Sequence, residues 1–199
     1  MKLKYKAMIL RASLFIVLFG SLIFTMLPKK QQPDNADILN AQKELEKSKD
    51  EQFIKLFTDY YGACISTNME RLKPLVSDIR MIDEDALKKK YYYIEEVRNL
   101  ECYVVDGLTE DTYVVYVYGE LKIREIETPA PSMSVFLVNR AFDDNLIIYL
   151  NPVDADVQNY IDKLNDSEAV KNMISRVNEN MSGAVDKDDK LKEFISRIS

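Results

Sequence analysis

Residues 111–126 read DTYVVYVYGELKIREI, and this stretch decides the fold. Its centre, Tyr113-Val114-Val115-Tyr116-Val117-Tyr118, holds only β-branched and aromatic side chains, the types that suit a pleated, half-buried surface. Asp111–Ile126 is therefore predicted as one long strand, with Gly119 marking a bulge or bend inside it. Upstream, Val97–Val105 is also β-rich, and Asp106-Gly107 supplies a turn signal. Downstream, Pro129-Ala130-Pro131 breaks the chain in an extended loop. Met133–Phe142 and Leu146–Leu150 then read as two more strands joined by Asp143-Asp144-Asn145. Gaps this short belong to antiparallel hairpins, because a parallel connection needs a crossover.

Helical spacing flanks this block on both sides. Phe53, Phe57, Tyr60, Tyr61, Cys64 and Ile65 predict one helix of about five turns, Phe53–Leu72, with a broad apolar face. Pro74 resets the chain, a short helix or turn follows at Leu75–Met81, and Asp83–Lys90 reads as a capped helix with a basic end. After Asn151-Pro152 come three apolar stripes. The first is Val157, Tyr160, Ile161 and Leu164. The second is Val170, Met173, Ile174, Val177 and Met181, with Asp166 or Ser167 as N-cap. The third is Leu191, Phe194, Ile195 and Ile198, after the acidic Asp186–Asp189. Such regular stripes must dock on the sheet, on each other or on a partner. The expected class is α+β: a single N-terminal transmembrane helix, a long helix packed on a twisted antiparallel sheet of about four strands, and C-terminal amphipathic helices.

Composition narrows the chemistry. The chain has 199 residues, 47% hydrophobic and 30% charged, enough for one ordinary domain with appendages. It has no histidine. That removes Ser-His-Asp and Cys-His nucleophiles, His-ligated zinc and imidazole acid/base catalysis. The net charge of -6 argues against bulk electrostatic binding of nucleic acid.

That charge averages two unlike parts. Residues 1–30 hold Lys2, Lys4, Lys6, Arg11, Lys29 and Lys30 and no acid, a sum of +6. The remainder holds 21 basic groups against all 33 acids, a sum of -12. Ala12–Leu27 is sixteen residues without a charge, and with Ala7–Leu10 it gives about twenty, enough to span a bilayer as a helix if Arg11 snorkels. Lys2, Lys4, Lys6 and Arg11 form the orientation signal: the positive-inside rule places the N-terminus in the cytoplasm and residues 31–199 outside. A cleaved signal peptide is the alternative, but the apolar run exceeds the usual length and no Ala-x-Ala-like site follows Leu27. The expected organisation is a cytoplasmic tip and signal anchor over residues 1–30, a polar helical stalk over 31–52, an exported α+β domain over 53–152 and a helical extension over 153–199.

The order of elements resembles the nuclear-transport-factor-2-like (cystatin-like α+β) superfamily. The residues that carry the resemblance are Phe53–Leu72, Val97–Val105, Asp111–Ile126, Met133–Phe142 and Leu146–Leu150. With its anchor, stalk and exported domain, the chain looks like the bitopic assembly components of bacterial conjugation and type IV secretion systems, and is similar to many envelope proteins of Gram-positive bacteria. The helices Val157–Ile198 depart from the minimal fold, which usually ends in the sheet. The resemblance implies a conical space between sheet and long helix, where isomerase members use aspartate and tyrosine. Tyr61, Tyr103, Tyr116 and Tyr118 are the candidate pocket or interface residues here. The bland alternative is that strand tyrosines form cross-strand pairs, ring in and hydroxyl out. No carboxylate stands alone in an apolar strand run, where a raised-pKa base belongs.

Other constellations have structural readings. Asp154-Ala155-Asp156 and Asp186–Asp189 start like calcium loops, but their sixth positions are Asn159 and Leu191 and their twelfth Asn165 and Arg197. Helix N-terminal carboxylates explain both, and no metal or cofactor is expected. Lys88–Lys90 before Tyr91–Tyr93 reads as a helix end rather than a polymer-binding patch. Cys64 and Cys102 lack metal spacing; they read as two small buried hydrophobes, with one disulfide as the alternative. The expected function is non-catalytic: a membrane-anchored extracytoplasmic domain that binds an envelope protein partner in an assembly or signalling complex. The alternatives are a small-molecule-binding or isomerase-like cavity domain, and a homo-oligomeric conjugation or secretion scaffold.

Overall fold

The computed structural model describes residue 45 and residues 47–198. Lys2, Lys4, Lys6, Arg11, the run Ala12–Leu27 and most of the expected stalk lie outside the described residues. Among the described residues no helix is long and apolar enough to cross a membrane.

The fold is α+β. Its sheet has four antiparallel strands in the order β1 (Ile94–Asp106), β2 (Thr112–Ile123), β3 (Ala130–Arg140) and β4 (Leu146–Tyr149). Before it stand α1 (Glu51–Ile65), α2 (Met69–Leu72), 3-10 turns at Lys73–Leu75 and Ile79–Met81, and α3 (Glu84–Tyr91). After it come α4 (Ala155–Asp166), α5 (Glu168–Lys187) and α6 (Asp189–Ile198).

The expected five-turn helix Phe53–Leu72 is broken. Its first part starts two residues early, because the Asp50 carboxylate accepts from Gln52 N at 2.9 Å and caps it. It ends at Ile65, where Thr67 takes a left-handed φ of 48°. That conformation is costly for a β-branched residue, and Asn68 restarts the helix by accepting from Arg71 N at 3.0 Å. The apolar period runs through the break, so periodicity alone does not reveal it. The helix at Asp83 forms as expected, with the Asp83 carboxylate accepting from Ala86 N.

Gly119 marks a bulge, but the extra residue is in the partner strand. Arg98 pairs Glu120 and Glu101 pairs Tyr118, so Asn99 and Leu100 together face Gly119. Asn99 takes the left-handed φ of 50° that such a bulge needs. A Cβ at Gly119 would lie 2.7 Å from Val97 Cγ1 and 3.1 Å from Leu100 Cδ2. Glycine is there for close approach, not for its own φ.

Two strand limits differ from expectation. β2 stops at Ile123, where Glu125 turns left-handed and Ile126 N bonds back to Ile123 O. β3 includes Pro131, in a stretch expected to be loop. Proline is tolerated because β4 pairs only with Leu137–Arg140, so β3 is an outer strand at Pro131.

The strands bury side chains on both faces. On the first face Cys102, Val115, Val117, Val138 and Ile148 pack with Phe53, Phe57, Tyr61 and Cys64 of α1. On the second face Tyr103, Val114, Tyr116 and Met133 pack with Tyr160 and Leu164 of α4 and Val170, Met173 and Val177 of α5. The C-terminal stripes thus dock on the sheet. Toward the end of α5 the chain leaves that face: Val185 of α5 and Leu191 of α6 join the first core, which also holds Ile123 and Ile126. The Asp188 carboxylate caps α6 and also accepts from Thr128 N at 3.2 Å.

Candidate functional site

The sheet divides the four candidate tyrosines. Tyr61 faces the first core from α1, with ring centroids 5.6 Å from Tyr60 and 6.4 Å from Phe136. Tyr103, Tyr116 and Tyr118 lie together on the second face, because β1 and β2 alternate and Tyr103 pairs Tyr116 across the ladder.

The three second-face hydroxyls are all engaged. Tyr116 donates to Asn165 Oδ1 of α4 at 2.8 Å. Tyr103 donates to Glu101 Oε2 at 2.8 Å, and Tyr118 to Glu120 Oε1 at 3.2 Å. The other oxygen of each carboxylate is also held: Lys47 Nζ reaches Glu101 Oε1 at 2.8 Å, and Asn99 Nδ2 reaches Glu120 Oε2 at 2.7 Å. Glu101 and Tyr118 are ladder partners, so these bonds form one polar strip beside the apolar core.

Its electrostatics follow from burial and charge. Lys47 holds the Glu101 carboxyl below the usual carboxylate range, helped by the Tyr103 hydroxyl and the nearby Arg176 charge. Burial first, and then the carboxylate partners, push Tyr103 up and Tyr118 up to about 12. Burial also raises Tyr116. At neutral pH these phenols keep their protons and donate them to fixed acceptors. A phenol held in its protonated form is a hydrogen-bond donor and not a base.

The first face carries a second titratable cluster. The Cys64 thiol is in hydrogen-bond contact with Tyr60 and Tyr91, near Lys90. Burial pushes Cys64 up to about 11 and Cys102 up to about 12, and lowers Lys90. Activation of a thiol needs the opposite shift. Both cysteines are free and fully buried, one on a helix and one on a strand, as small core hydrophobes.

The space that the resemblance implies between long helix and sheet is occupied by the chain's own side chains. Phe57 and Phe136 meet at 4.8 Å between ring centroids, and Phe53 meets Tyr113 edge-on at 5.4 Å. Leu191 of α6, fully buried, adds to the same core. The acid clusters are used as caps: Asp154 accepts from Asp156 N and Val157 N, and Asp188 caps α6. Among the described residues no three His, Cys, Asp or Glu side chains converge as a metal-ligand group.

Sequence reasoning missed Glu101, Glu120, Lys47 and Tyr160. In the sequence Tyr160 is one residue of an apolar stripe, yet its hydroxyl donates to Asp106 O at 2.7 Å and ties α4 to the end of β1. The carboxylates carried a signal: Glu101 and Tyr103, and Glu120 and Tyr118, are two residues apart on strands and therefore share a face. Lys47 had none, because its contact depends on the chain passing beside β1, where Ser48 N bonds Cys102 O at 2.7 Å.

Compared with known proteins, the chain matches no family model, no curated protein and no solved structure.

Proposed function

We propose that this chain is a membrane-anchored, extracytoplasmic protein-binding domain that serves a cell-envelope assembly or signalling complex without catalysing a reaction. The observation that carries this reading is the charge split: residues 1–30 sum to +6 around an uncharged run of sixteen residues, and the rest sums to -12. In this reading the anchor is a single uncleaved span with its N-terminus in the cytoplasm. The domain's long helix across a four-stranded antiparallel sheet supports its resemblance to the nuclear-transport-factor-2-like superfamily. The occupied faces of the sheet also favour binding through the outside: α1 covers one face and α4 with α5 the other. The tyrosines best placed for chemistry have raised pKa values and fixed acceptors, which suits an interface better than an active site.

The test uses the full chain in its own membrane. A membrane-impermeant amine-reactive cross-linker is applied to intact cells, and the chain is then purified from detergent extract. The expected result is a labelled adduct of this chain with another envelope protein. Recovery of the chain alone, or lack of labelling on intact cells, would contradict the partner or the topology respectively.

A further inference from the structure

We propose that α6 is a displaceable latch: it opens at Asp188 while the two-sided body stays folded, and the seat it leaves takes an amphipathic helix of the α6 pattern from a partner protein. The partner rests on the protein-binding reading above, whereas the latch and its seat do not.

The helices after the sheet are held very differently. α4 buries Tyr160 and Leu164, and α5 buries Val170, Met173, Val177 and Val185. In α6 the buried side chain is Leu191, with Phe194 and Ile195 half-buried against the same first core. The other face of α6, with Lys192, Glu193, Ser196 and Arg197, is exposed. A helix of 10 residues is marginal in water by itself, so α6 depends on its seat. A segment with little buried apolar surface and solvent-facing backbone bonds opens before the rest of a domain does. The hinge is also in place: Asp188 is extended, at φ -138° and ψ 107°, and separates α6 from α5.

The seat is built without α6. It lies at the end of the sheet where β1 starts and β2 gives way to β3. Arg124 N donates to Tyr93 O at 2.8 Å, Ile126 N to Ile123 O at 3.1 Å and Lys122 Nζ to Ile126 O at 2.6 Å. These bonds fix Tyr93 and the connection after β2, and they persist when α6 leaves.

The contacts of the present occupant define what the seat recognises. At one end Thr128 N donates to Asp188 Oδ2 at 3.2 Å, and Lys190 Nζ donates to Glu125 O at 3.5 Å. The other oxygen of Asp188 caps α6 by accepting from Lys190 N and Leu191 N. At the other end the Phe194 ring meets Tyr93 edge-on at 5.5 Å. The seat thus reads an N-cap carboxylate followed by apolar anchors at i, i+3 and i+4, here Leu191, Phe194 and Ile195. A partner helix with those anchors makes the same contacts, and its apparent affinity falls with the fraction of chains in which α6 fills the seat. That makes α6 an autoinhibitory occupant.

The full chain in detergent tests this. Amides of Leu191–Ile195 should open at least about 100-fold more often by hydrogen exchange than those of Val170–Val177, and Asp188→Ala should raise that opening several-fold. A fluorescent peptide of residues 186–198 should bind the Asp188→Ala chain several-fold more tightly than the native chain. Leu191→Ala in the peptide should weaken that binding at least about 10-fold. Opening of α6 together with α5, a peptide that does not bind the Asp188→Ala chain, or equal affinity for both chains would overturn the latch. A native-chain dimer that the peptide dissociates would put the α6 of a second copy in the seat and overturn the partner helix. An envelope protein captured by a chain whose seat refuses the peptide would leave the binding reading standing without this site.

Discussion

The two faces of the sheet are built from the same strands but solve different problems. The first face is dry: α1 lays Phe53, Phe57, Tyr61 and Cys64 against valines and Ile148, and aromatic rings meet at 4.8–5.6 Å. The second face is polar at its margin, where Tyr103, Tyr116, Tyr118 and Tyr160 each carry a hydroxyl that needs an acceptor. Three of those acceptors are side chains set by strand alternation or by α4, and one is a backbone carbonyl. Both faces rest on packed volume, and the second adds a row of hydroxyls with acceptors at hydrogen-bond distance.

The largest expected effect lies on the first face. Phe57→Ala removes a fully buried ring stacked near Phe136 and should cost about 3–5 kcal/mol by denaturant unfolding. A cost below about 1 kcal/mol would mean that the site collapses and that the first face is not tightly packed.

Alkaline pH should weaken the same face next. Burial raises Cys64 from its ordinary 9.0 to about 11. Below pH 9 both folded and unfolded chains keep the proton and the contribution is complete. Between 9 and 11 the unfolded chain ionises first, so stability falls by up to about 1.4 kcal/mol per pH unit for this thiol. Urea midpoints across this range should drop less steeply in Cys64→Ala than in the native chain; equal slopes would show that the thiol is not held protonated by burial.

Gly119→Ala tests where the faces meet the bulge. Its Cβ would press on Val97 and Leu100, at a cost of about 1–3 kcal/mol of overpacking. Unchanged thermal stability would mean that the bulge at Asn99 yields freely.

The second face should respond more mildly. Tyr116→Phe keeps the ring and leaves Asn165 Oδ1 without its donor, an expected loss of about 1 kcal/mol. Lys47→Ala breaks an exposed ion pair with Glu101 and should cost under about 1 kcal/mol. If Tyr116→Phe cost as much as Phe57→Ala, the contrast between the faces would fail.

The contrast also explains what was legible in the sequence. Strand and helix patterns are local, so Tyr113–Tyr118, Asp83–Lys90 and the stripes after Asp154 were readable from residue type and period alone. The break at Thr67 was not, because the apolar spacing continues past it and only a single left-handed residue interrupts the hydrogen bonds. Gly119 announced a bulge, but which strand carries the extra residue depends on register, a long-range property. The abundance of tyrosine in the sequence does not show which of them share a face. Alternation could have paired Glu101 with Tyr103 and Glu120 with Tyr118, whereas the separation of Tyr61 from the others requires knowing which helix covers which face.

Native-state hydrogen exchange on the full chain tests most directly whether both helical layers hold one sheet. Amides of Leu164, Val170, Met173 and Val177 should open with the same free energy as those of Val115 and Val117, because Val114 and Tyr116 of the same strand pack with α4 and α5 in the second core. Exchange of the α4 and α5 amides orders of magnitude faster than the β2 amides would show an appendage resting on a sheet that stands without it, and would contradict the two-sided architecture.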